Sequence, residues 1–251
     1  MKNLLLLLAA ASALASSPAA ASPATKPIRN VVLVHGAFAD GSGWKPVADI
    51  LIRDGYTVSV VQEPLTSLEE DVTATRRILD RQDGPAVLVG HSYGGAVITE
   101  AGNDAHVASL VYVAGFVPDA GETVISQIKS NPPAADSIAP TADGYLLVDQ
   151  ARFPADFAAD LPLADAHFMA ISQIPWNAKI LSTPITTPAW RSKPTYGIVA
   201  TEDRMINPAL ERTMYARAHA SVTEIKGSHA LFVSQARAVA DVIERAARGE
   251  R

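Results

Sequence analysis

The fold of this chain is decided by residues 86–95, which read AVLVGHSYGG. The first four of these residues form an apolar run, which is typical of a strand buried on both faces. The residues after Gly95 are compatible with a helix, so the order is strand, sharp turn and helix. Glycines flank Ser92 on both sides, where larger side chains would collide with the neighbouring strand and helix. Ser92 is therefore the first candidate for a chemical role, as a nucleophile held on a strained turn.

A serine hydroxyl is a weak nucleophile at neutral pH, so a base must take its proton and a further group must orient that base. His229 follows a short strand-like run, residues 222–225, and precedes an amphipathic helix. A histidine in this strand-to-helix loop is the expected base. His35 and His91 belong to other motifs. The remaining histidines lie in polar or cap-like contexts and are His106, His167 and His219.

The group that orients the base is expected between Ser92 and His229 in chain order, at the end of another buried strand. Residues 195–200 read as such a strand, and two carboxylates follow it. Asp203 is favoured, because the residues after it read as a loop into a helix that begins at Pro208. The alternatives, in order of preference, are Glu202 and Asp119.

Negative charge that develops on a reacting oxygen in a dry site must meet hydrogen-bond donors. Residues 31–34 form an apolar strand that ends in His35 and Gly36, so the backbone N–H of Ala37 lies at the carboxyl end of that strand. The residue after the nucleophile, Tyr93, supplies a second N–H. Ala37 and Tyr93 are therefore the expected oxyanion donors, and His35 is expected to shape this loop without carrying a proton.

With these residues the chain resembles the α/β-hydrolase-fold serine hydrolases, and within them the small branch of esterases, plant methylesterases and hydroxynitrile lyases. The resemblance covers nearly all of the chain after its N-terminal segment. The matching stretches are residues 34–38 with Trp44, residues 90–95, residues 110–114 running to Pro118 and Asp119, residues 200–208, and Ser228 with His229.

The resemblance implies a role for each matching position. The nucleophile, acid and base are Ser92, Asp203 and His229, and the oxyanion amides are those of Ala37 and Tyr93. Two features depart from the hydroxynitrile lyase branch. Ala230 stands where those lyases have a lysine after the catalytic histidine, and no threonine lies beside the oxyanion loop. Hydrolysis is therefore expected in preference to lyase chemistry.

Strand and helix patterns alternate along the chain, as a doubly wound, mostly parallel sheet requires. The predicted strands, all expected to be buried on both faces, are 31–34, 57–61, 86–89, 109–114, 195–200 and 222–225. The predicted helices are 44–53, 68–81, 95–103, 209–218 and 233–248. Ser67 and Glu70 fit a capping box at the start of the second helix. The expected fold class is α/β, an α/β-hydrolase fold in one domain over residues 28–251.

The alternation breaks between about residues 117 and 193, an interval too long for a simple connection. Insertions at this point cap the active site in the resembling fold, and apolar helical turns near 153–161 and 166–174 predict a mainly helical cap. Cap residues expected to contact an apolar substrate or to pack on the main domain are Phe157, Phe168, Met169, Ile174 and Trp176. Pocket residues expected from the main domain, with core packing as the alternative, are Phe38, Trp44, Phe116 and Phe232.

Residues 1–21 fit a cleaved signal peptide, because one basic residue precedes an apolar core at 4–15 that is too short to span a bilayer, and small residues follow. Cleavage is expected before Ser22, with a cut after Ala15 as the alternative. Residues 22–27 read as a linker. The chain is therefore expected to be exported, either to the periplasm or into the medium, without stable membrane insertion after cleavage.

The chain has 251 residues and a formal net charge of −5, and it contains no basic run, which argues against nucleic-acid binding. Because it has no cysteine, it can form neither a disulfide nor a cysteine-ligated metal site. The sequence contains no paired-histidine metal motif and no glycine-rich phosphate loop with its lysine. We therefore expect no metal and no cofactor, and a small molecule as the partner. The sequence leaves the oligomeric state open.

The expected chemistry is two-step acyl transfer, in which a small to medium, apolar carboxylic ester forms an acyl-enzyme on Ser92 and water then releases the acid. Alternatives on the same site are acyl transfer to another acceptor and cleavage of a carbon–carbon bond. A further alternative is a receptor-like protein that binds a ligand and turns it over slowly.

Overall fold

The computed structural model describes residues 28–251 of the chain. The predicted signal peptide (1–21) and linker (22–27) lie outside these residues. In chain order the strands are β1 (Asn30–Val34), β2 (Thr57–Val60), β3 (Ala86–His91), β4 (Val107–Val113), β5 (Ile138–Pro140), β6 (Tyr145–Val148), β7 (Trp176–Asn177), β8 (Thr195–Ala200) and β9 (Ser221–Ile225).

Helices alternate with these strands. The α-helices are α1 (Lys45–Arg53), α2 (Leu68–Leu79), α3 (Gly94–Ala101), α4 (Val124–Ser130), α5 (Phe153–Asp156), α6 (Leu163–Ile171), α7 (Pro208–Arg217), α8 (Leu231–Ser234) and α9 (Ala236–Arg248). Short 3₁₀ helices span Gly41–Trp44, Ala178–Ser182 and Ala189–Arg191. The single helix predicted over 233–248 is thus two helices, because the backbone leaves helical geometry at Gln235. Of the helices within residues 28–251, none combines the length and apolarity that crossing a membrane requires.

The central sheet of the described residues has the order β2-β1-β3-β4-β8-β9, and every pairing in it is parallel. The chain moves from β1 outward to β2 and then returns to β3 on the other side of β1. Strand order therefore reverses between β1 and β3, and in open α/β sheets ligands bind at the carboxyl ends of strands beside such a reversal. The loops that follow β1 and β3 are those that carry Ala37 and Ser92.

The predicted strands are confirmed, but the expected burial on both faces is right only for the inner ones. Strands β1, β3 and β8 are buried along their whole length, and β4 is buried at all but one position. The edge strands β2 and β9 are partly exposed. The reason is that α3 and α9 pack over the inner strands, which leaves the two edges less covered.

The predicted capping box at α2 is only half formed. The Ser67 hydroxyl accepts a hydrogen bond from the Glu70 backbone N–H at 3.1 Å, but the Glu70 carboxylate is bonded to the Thr66 hydroxyl. A complete capping box occurs at α4 instead, between Thr123 and Ser126. The sequence did not predict it, because a serine at the third helical position is a weaker signal than a glutamate.

The insertion over residues 117–193 contains α5 and α6 near the two predicted helical stretches. The helix α5 is shorter than the predicted stretch, and α6 begins and ends three residues earlier than predicted. The insertion also contains α4, which the sequence did not predict. It also contains a three-stranded antiparallel sheet, β5-β6-β7, which the sequence did not predict. These strands have two to four residues each, too few to show the alternating pattern of a strand. We call residues 117–193 the cap, because contacts described below place them against the strand ends.

Candidate active site

Ser92 occupies a sharp turn between β3 and α3. Its φ angle is +52°, in the left-handed region that non-glycine residues rarely adopt. The turn packs against the loop after β1, since a Cβ at Gly94 would lie 2.4 Å from the backbone oxygen of His35. A Cβ at Gly36 would lie 2.7 Å from the Cβ of Ser92. Only glycine therefore fits at 36 and 94, and the two loops meet beside Ser92.

His229 and Asp203 form a buried hydrogen-bonded pair. His229 Nδ1 lies 2.6 Å from Asp203 Oδ2, and the two side chains are 2% and 0% exposed. The other carboxylate oxygen, Oδ1, accepts hydrogen bonds from the backbone N–H groups of Met205 at 2.7 Å and Ile206 at 2.9 Å. These two donors fix the orientation of the carboxylate towards His229. With the proton on Nδ1, the His229 Nε2 atom carries the free lone pair of a base.

The other two acid candidates lie elsewhere. Glu202 is half exposed and pairs with Lys226 at 3.6 Å. Asp119 pairs with Arg191 at 2.6 Å on the cap. Of the three carboxylates that the sequence proposed, Asp203 is the one in contact with His229.

His91, the last residue of β3 and the residue before Ser92, links the Ser92 turn to the loop that carries His229. The His91 ring lies 4.6 Å from the His229 ring between centroids, and His91 Nε2 bonds to the His229 carbonyl oxygen at 2.9 Å. Within the part of the chain that the structure describes, no hydrogen bond joins the Ser92 hydroxyl to the His229 imidazole. In unliganded enzymes such bonds are often long and tighten only when substrate is bound.

His91 is fully buried, and its Nε2–H donates to the His229 carbonyl. Burial lowers the pKa of His91 well below its usual value, and the nearby His229 adds to this. His91 is therefore neutral and acts as a hydrogen-bonded tether between the Ser92 turn and the loop that carries His229.

The loop after β1 is shaped by His35, as the sequence predicted. His35 Nδ1–H donates to the Gly36 carbonyl oxygen at 2.9 Å, and His35 Nε2 accepts from the Glu63 backbone N–H at 3.0 Å. The carbonyl and N–H of a trans peptide point in opposite directions, so the bond to Gly36 turns the Ala37 N–H away from His35. Burial lowers the pKa of His35, which keeps this ring neutral.

Tyr93, the other expected oxyanion residue, is 1% exposed, and its side chain is held by a hydrogen bond and by ring packing. Its hydroxyl donates to Asp71 Oδ2 at 2.7 Å, while Asp71 Oδ1 accepts from the Leu65 N–H at 2.9 Å. The Trp176 ring of the cap covers the Tyr93 ring, with 5.0 Å between centroids. Burial raises the pKa of Asp71 to about 6.

The four expected pocket residues are all buried, and they lie in three places. Trp44 packs on Phe232 at 4.9 Å, and Phe232 packs on His91 at 4.3 Å between ring centroids, so these two rings support the Ser92 turn. The Phe116 N–H donates to the Ser92 carbonyl at 3.1 Å. Phe38 faces the cap.

Phe38 has a φ angle of +64° and contacts the Trp176 ring edge-on at 5.7 Å. It also lines a cleft of about 50 Å³ with the cap residues Phe168 and Met169. The cap thus reaches the strand ends at Tyr93 and Phe38 through Trp176. Phe157, another cap residue, contacts the His229 ring edge-on at 4.8 Å.

Two further buried carboxyl groups near the site were missed by the sequence reasoning. Neither oxygen of Glu63 has a hydrogen-bond partner within residues 28–251, and Glu63 Oε2 lies 3.7 Å from His35 Nδ1. Glu211 Oε2 accepts from the Ala200 N–H at 3.1 Å. Burial raises the pKa of both carboxyls well above their usual value, with the charge of Asp71 adding to the effect at Glu63 and that of Asp203 at Glu211. No local motif marks either residue.

Within the described residues, the side chains of Asp80, Asp104 and His106 lie close enough together to hold a metal ion, with their nitrogen and oxygen atoms within 4.8 Å of one another. His106 directly precedes β4, so the grouping lies at the amino end of that strand. Ser92 follows β3 at the opposite edge of the sheet. The grouping is therefore remote from the candidate active site.

The sequence matches the model of the Alpha/beta hydrolase family over residues 31–242. The chain therefore belongs to the alpha/beta hydrolase family. This confirms the predicted fold class and the resemblance on which it was based.

Two curated relatives carry names that describe an activity. The carbendazim hydrolyzing esterase of Nocardioides sp. (strain SG-4G) is 34% identical over 119 residues, which are 41% of this chain and 49% of that protein. The match thus spans about half of the esterase. The pyrethroid hydrolase of Sphingobium wenxiniae is 26% identical over 246 residues, covering 86% of each chain.

Solved structures show the same fold. A pyrethroid hydrolase from Sphingobium faniae JZ-2 has a TM-score of 0.76 at 24% identity, covering 88% of this chain and 98% of that one. Polyneuridine aldehyde esterase has a TM-score of 0.75 at 17% identity, covering 86% and 98%. At these identities the likeness establishes the fold and leaves the activity to be argued from the site.

Proposed function

We propose that this chain is a serine esterase that cleaves small to medium, apolar carboxylic esters through Ser92, His229 and Asp203. The observation that carries the proposal is the 2.6 Å hydrogen bond between the buried His229 Nδ1 and Asp203 Oδ2, on a loop tethered to the Ser92 turn. A buried acid–base pair beside a serine with φ +52° has the parts that acyl transfer requires.

In the first step, His229 Nε2 takes the hydroxyl proton as Ser92 Oγ attacks the ester carbonyl carbon. Asp203 holds the Nδ1 tautomer and stabilises the imidazolium that forms. The backbone N–H groups of Ala37 and Tyr93 are proposed to bind the oxyanion of the tetrahedral intermediate. The intermediate collapses when the alcohol leaves with the proton from His229, and the acyl group remains on Ser92.

In the second step, a water molecule gives its proton to His229 and attacks the acyl carbon, which releases the acid and restores the Ser92 hydroxyl. The orientation that the His35 bond imposes on the Gly36–Ala37 peptide supports the role proposed for Ala37, since this N–H is then free to meet the oxyanion.

The surroundings of the site support an apolar substrate. The rings that meet near Ser92 and His229 come from both the main domain and the cap and are Phe38, Tyr93, Phe157 and Trp176. The two curated relatives, which are named for the hydrolysis of carbendazim and of pyrethroids, support ester cleavage as the reaction class.

The test is a panel of p-nitrophenyl esters of graded chain length, with the wild type and two variants. Ser92→Ala is expected to lose turnover by at least about 10³-fold and to lose the initial burst of product. Ser182→Ala, which changes an exposed cap serine, is expected to match the wild type. Full turnover in Ser92→Ala would overturn the proposal. Adding a competing alcohol and identifying the products separates hydrolysis from acyl transfer.

We also propose that the chain is exported and cut before Ser22, on the basis of the pattern in residues 1–21. N-terminal sequencing of the protein recovered from the periplasm or medium of an expressing bacterium tests this. An intact N-terminus on protein retained in the cytoplasm would contradict it.

A further inference from the structure

A segment of the cap binds the loop that carries His229 through hydrogen bonds and a ring contact. We call residues 227–230 the base loop and residues 157–160 the cap clamp. The Phe157 carbonyl of the cap clamp accepts hydrogen bonds from the Ala230 N–H at 3.0 Å and from the Ser228 hydroxyl at 3.2 Å. The Phe157 ring also contacts the His229 ring.

The side chain of Asp160 makes further hydrogen bonds to the base loop and to the helix after it. Its Oδ2 accepts from the Ser228 backbone N–H at 3.1 Å and from the Ser234 hydroxyl at 2.6 Å, and its Oδ1 is bonded to the Ser228 hydroxyl. One carboxylate therefore ties together the base loop and α8, which follows it. Desolvation alone would raise the pKa of Asp160, but these hydrogen bonds outweigh it and hold the pKa below its usual range.

The base loop is thus held from two sides. His91 binds the His229 carbonyl from the Ser92 turn, and the cap clamp binds the residues on either side of His229. The hydrogen bond to Asp203 restrains Nδ1 of the His229 ring. The direction in which Nε2 points depends on the position of the backbone of the base loop. Movement of a catalytic group by about 1 Å costs on the order of 10²-fold in rate.

The same stretch of the cap also reaches the loop that carries Asp203. Asp156, which ends α5, accepts from Arg204 Nε at 3.0 Å, and Arg204 is the residue after Asp203. Asp156 also pairs with Arg152 at 3.2 Å. Residues 156–160 therefore contact both loops of the acid–base pair, one through Asp156 and the other through Asp160.

We propose that Asp160 is a positioning residue, which holds Ser228 and Ser234 so that the His229 ring faces Ser92. This inference rests on the function proposed for Ser92 and His229. It assigns to the cap a role in the chemistry as well as in covering the substrate. Asp160 contacts no reacting atom and acts only through the base loop.

The first measurement is the steady-state kinetics of Asp160→Ala on the preferred p-nitrophenyl ester. We expect kcat to fall by about 10- to 100-fold, with KM changed less than about threefold because no substrate contact is lost. Asp160→Glu keeps the carboxylate and is expected to recover part of kcat. Asp165→Asn changes an exposed carboxylate of the same cap and is expected to match the wild type.

The second measurement does not depend on turnover. The proton between His229 and Asp203 should give a low-field proton NMR signal in the wild type, identified by its loss in His229→Gln. In Asp160→Ala we expect this signal to shift or broaden, and in Asp165→Asn to stay unchanged. If Ser92→Ala hydrolyses the ester like the wild type, the proposed function fails, yet the signal still tests whether Asp160 positions His229.

Ser234→Ala removes one of the bonds to Asp160 and covers the case in which Asp160→Ala does not fold. We expect a smaller fall in kcat in the same direction. The proposal would be overturned if folded Asp160→Ala, or Ser234→Ala in its place, kept wild-type kcat and an unchanged low-field signal. A loss of thermal stability with wild-type kcat per folded molecule would equally assign Asp160 a structural role only.

Discussion

At the carboxyl ends of β3 and β8, local backbone geometry holds Ser92 and Asp203, whereas the loop after β9, which carries His229, is held by cap residues distant in the chain. Ser92 owes its position to a left-handed turn, and Asp203 owes its orientation to two N–H groups that follow it directly. The cap acts through Asp160 and Trp176, which contact residues far away in the chain. Local backbone geometry thus positions Ser92 and Asp203, whereas contacts with distant cap residues restrain the loop that carries His229.

This difference predicts how the two regions respond to substitution. A substitution at a strand end removes a catalytic group or a turn that no other residue can replace, so the loss of activity or stability should be nearly complete. A change in the cap removes one of several contacts, so its effect should be graded, as expected for Asp160. The contributions of the two regions to stability should also change with pH in opposite directions, because the pKa values of their buried carboxyl groups are shifted in opposite directions.

The largest effect is expected for Asp203→Asn. The amide cannot hold His229 in the tautomer that leaves Nε2 free, so kcat/KM should fall by about 10³- to 10⁴-fold while the protein stays folded. Steady-state kinetics with circular dichroism as the folding check measures this. Glu202→Gln, the exposed neighbour, should retain activity within about twofold. If the two variants were equally active, the strand-end acid would not be Asp203.

The next effect is expected for Gly94→Ala, which tests the turn itself. The new Cβ would lie 2.4 Å from a backbone oxygen, which cannot move without shifting the loop after β1. We expect a loss of about 3 kcal/mol or more in the free energy of unfolding, measured by urea denaturation. Gly84→Ala, whose Cβ would meet only a side-chain atom at 3.7 Å, should change stability little. A stable, active Gly94→Ala would contradict the turn geometry.

The smallest effect is expected for Glu63→Gln, which tests the pH response of the strand ends. Burial raises the pKa of Glu63 well above its usual value of 4.5, so the folded state binds a proton that the unfolded chain releases. The wild type therefore loses stability as pH rises from about 4.5 towards the folded-state pKa. The variant does not titrate, so at neutral pH it should gain on the order of 1 kcal/mol over the wild type.

The control for this variant is Glu69→Gln, which changes an exposed carboxylate on α2. Its stability should follow the wild-type pH profile.

The contribution of the cap to stability is expected to change with pH in the opposite direction. Desolvation opposes the shift at Asp156, but the hydrogen bond from Arg204 and the charge of Arg152 lower its pKa. The cap therefore loses this stabilisation as pH falls through the folded-state pKa. Urea denaturation of Glu63→Gln and Asp156→Asn at several pH values measures how the free energy of unfolding of each variant changes with pH. If the two variants showed the same pH dependence, the strand ends and the cap would not differ in their response to pH.

The sequence predicted the strand ends well, because their signals are local. An apolar run followed by a glycine-flanked turn specifies the Ser92 elbow within ten residues. The same logic, a strand followed by a polar loop and a helix, pointed to Asp203 and His229, and the structure places these two side chains in contact. Choosing Asp203 over Glu202 required only that the loop turn into α7.

The cap was harder to predict, because its contacts join residues that are far apart in the chain. Asp160 and Ser228 are 68 positions apart, and Asp160 and Ser234 are 74 apart. The strands of the small sheet are too short to carry a periodic pattern. Buried carboxyls such as Glu63 and Glu211 follow no motif, since their environment is made by packing alone.

The most direct test of the central claim is labelling with a fluorophosphonate, followed by intact-mass measurement and peptide mapping. If Ser92 is the nucleophile that His229 and Asp203 activate, the wild type should gain one phosphonyl group per chain, on the peptide that contains Ser92. Ser92→Ala should remain unlabelled, and Asp203→Asn should label far more slowly. Labelling of another residue, or equal labelling of Ser92→Ala, would contradict the account.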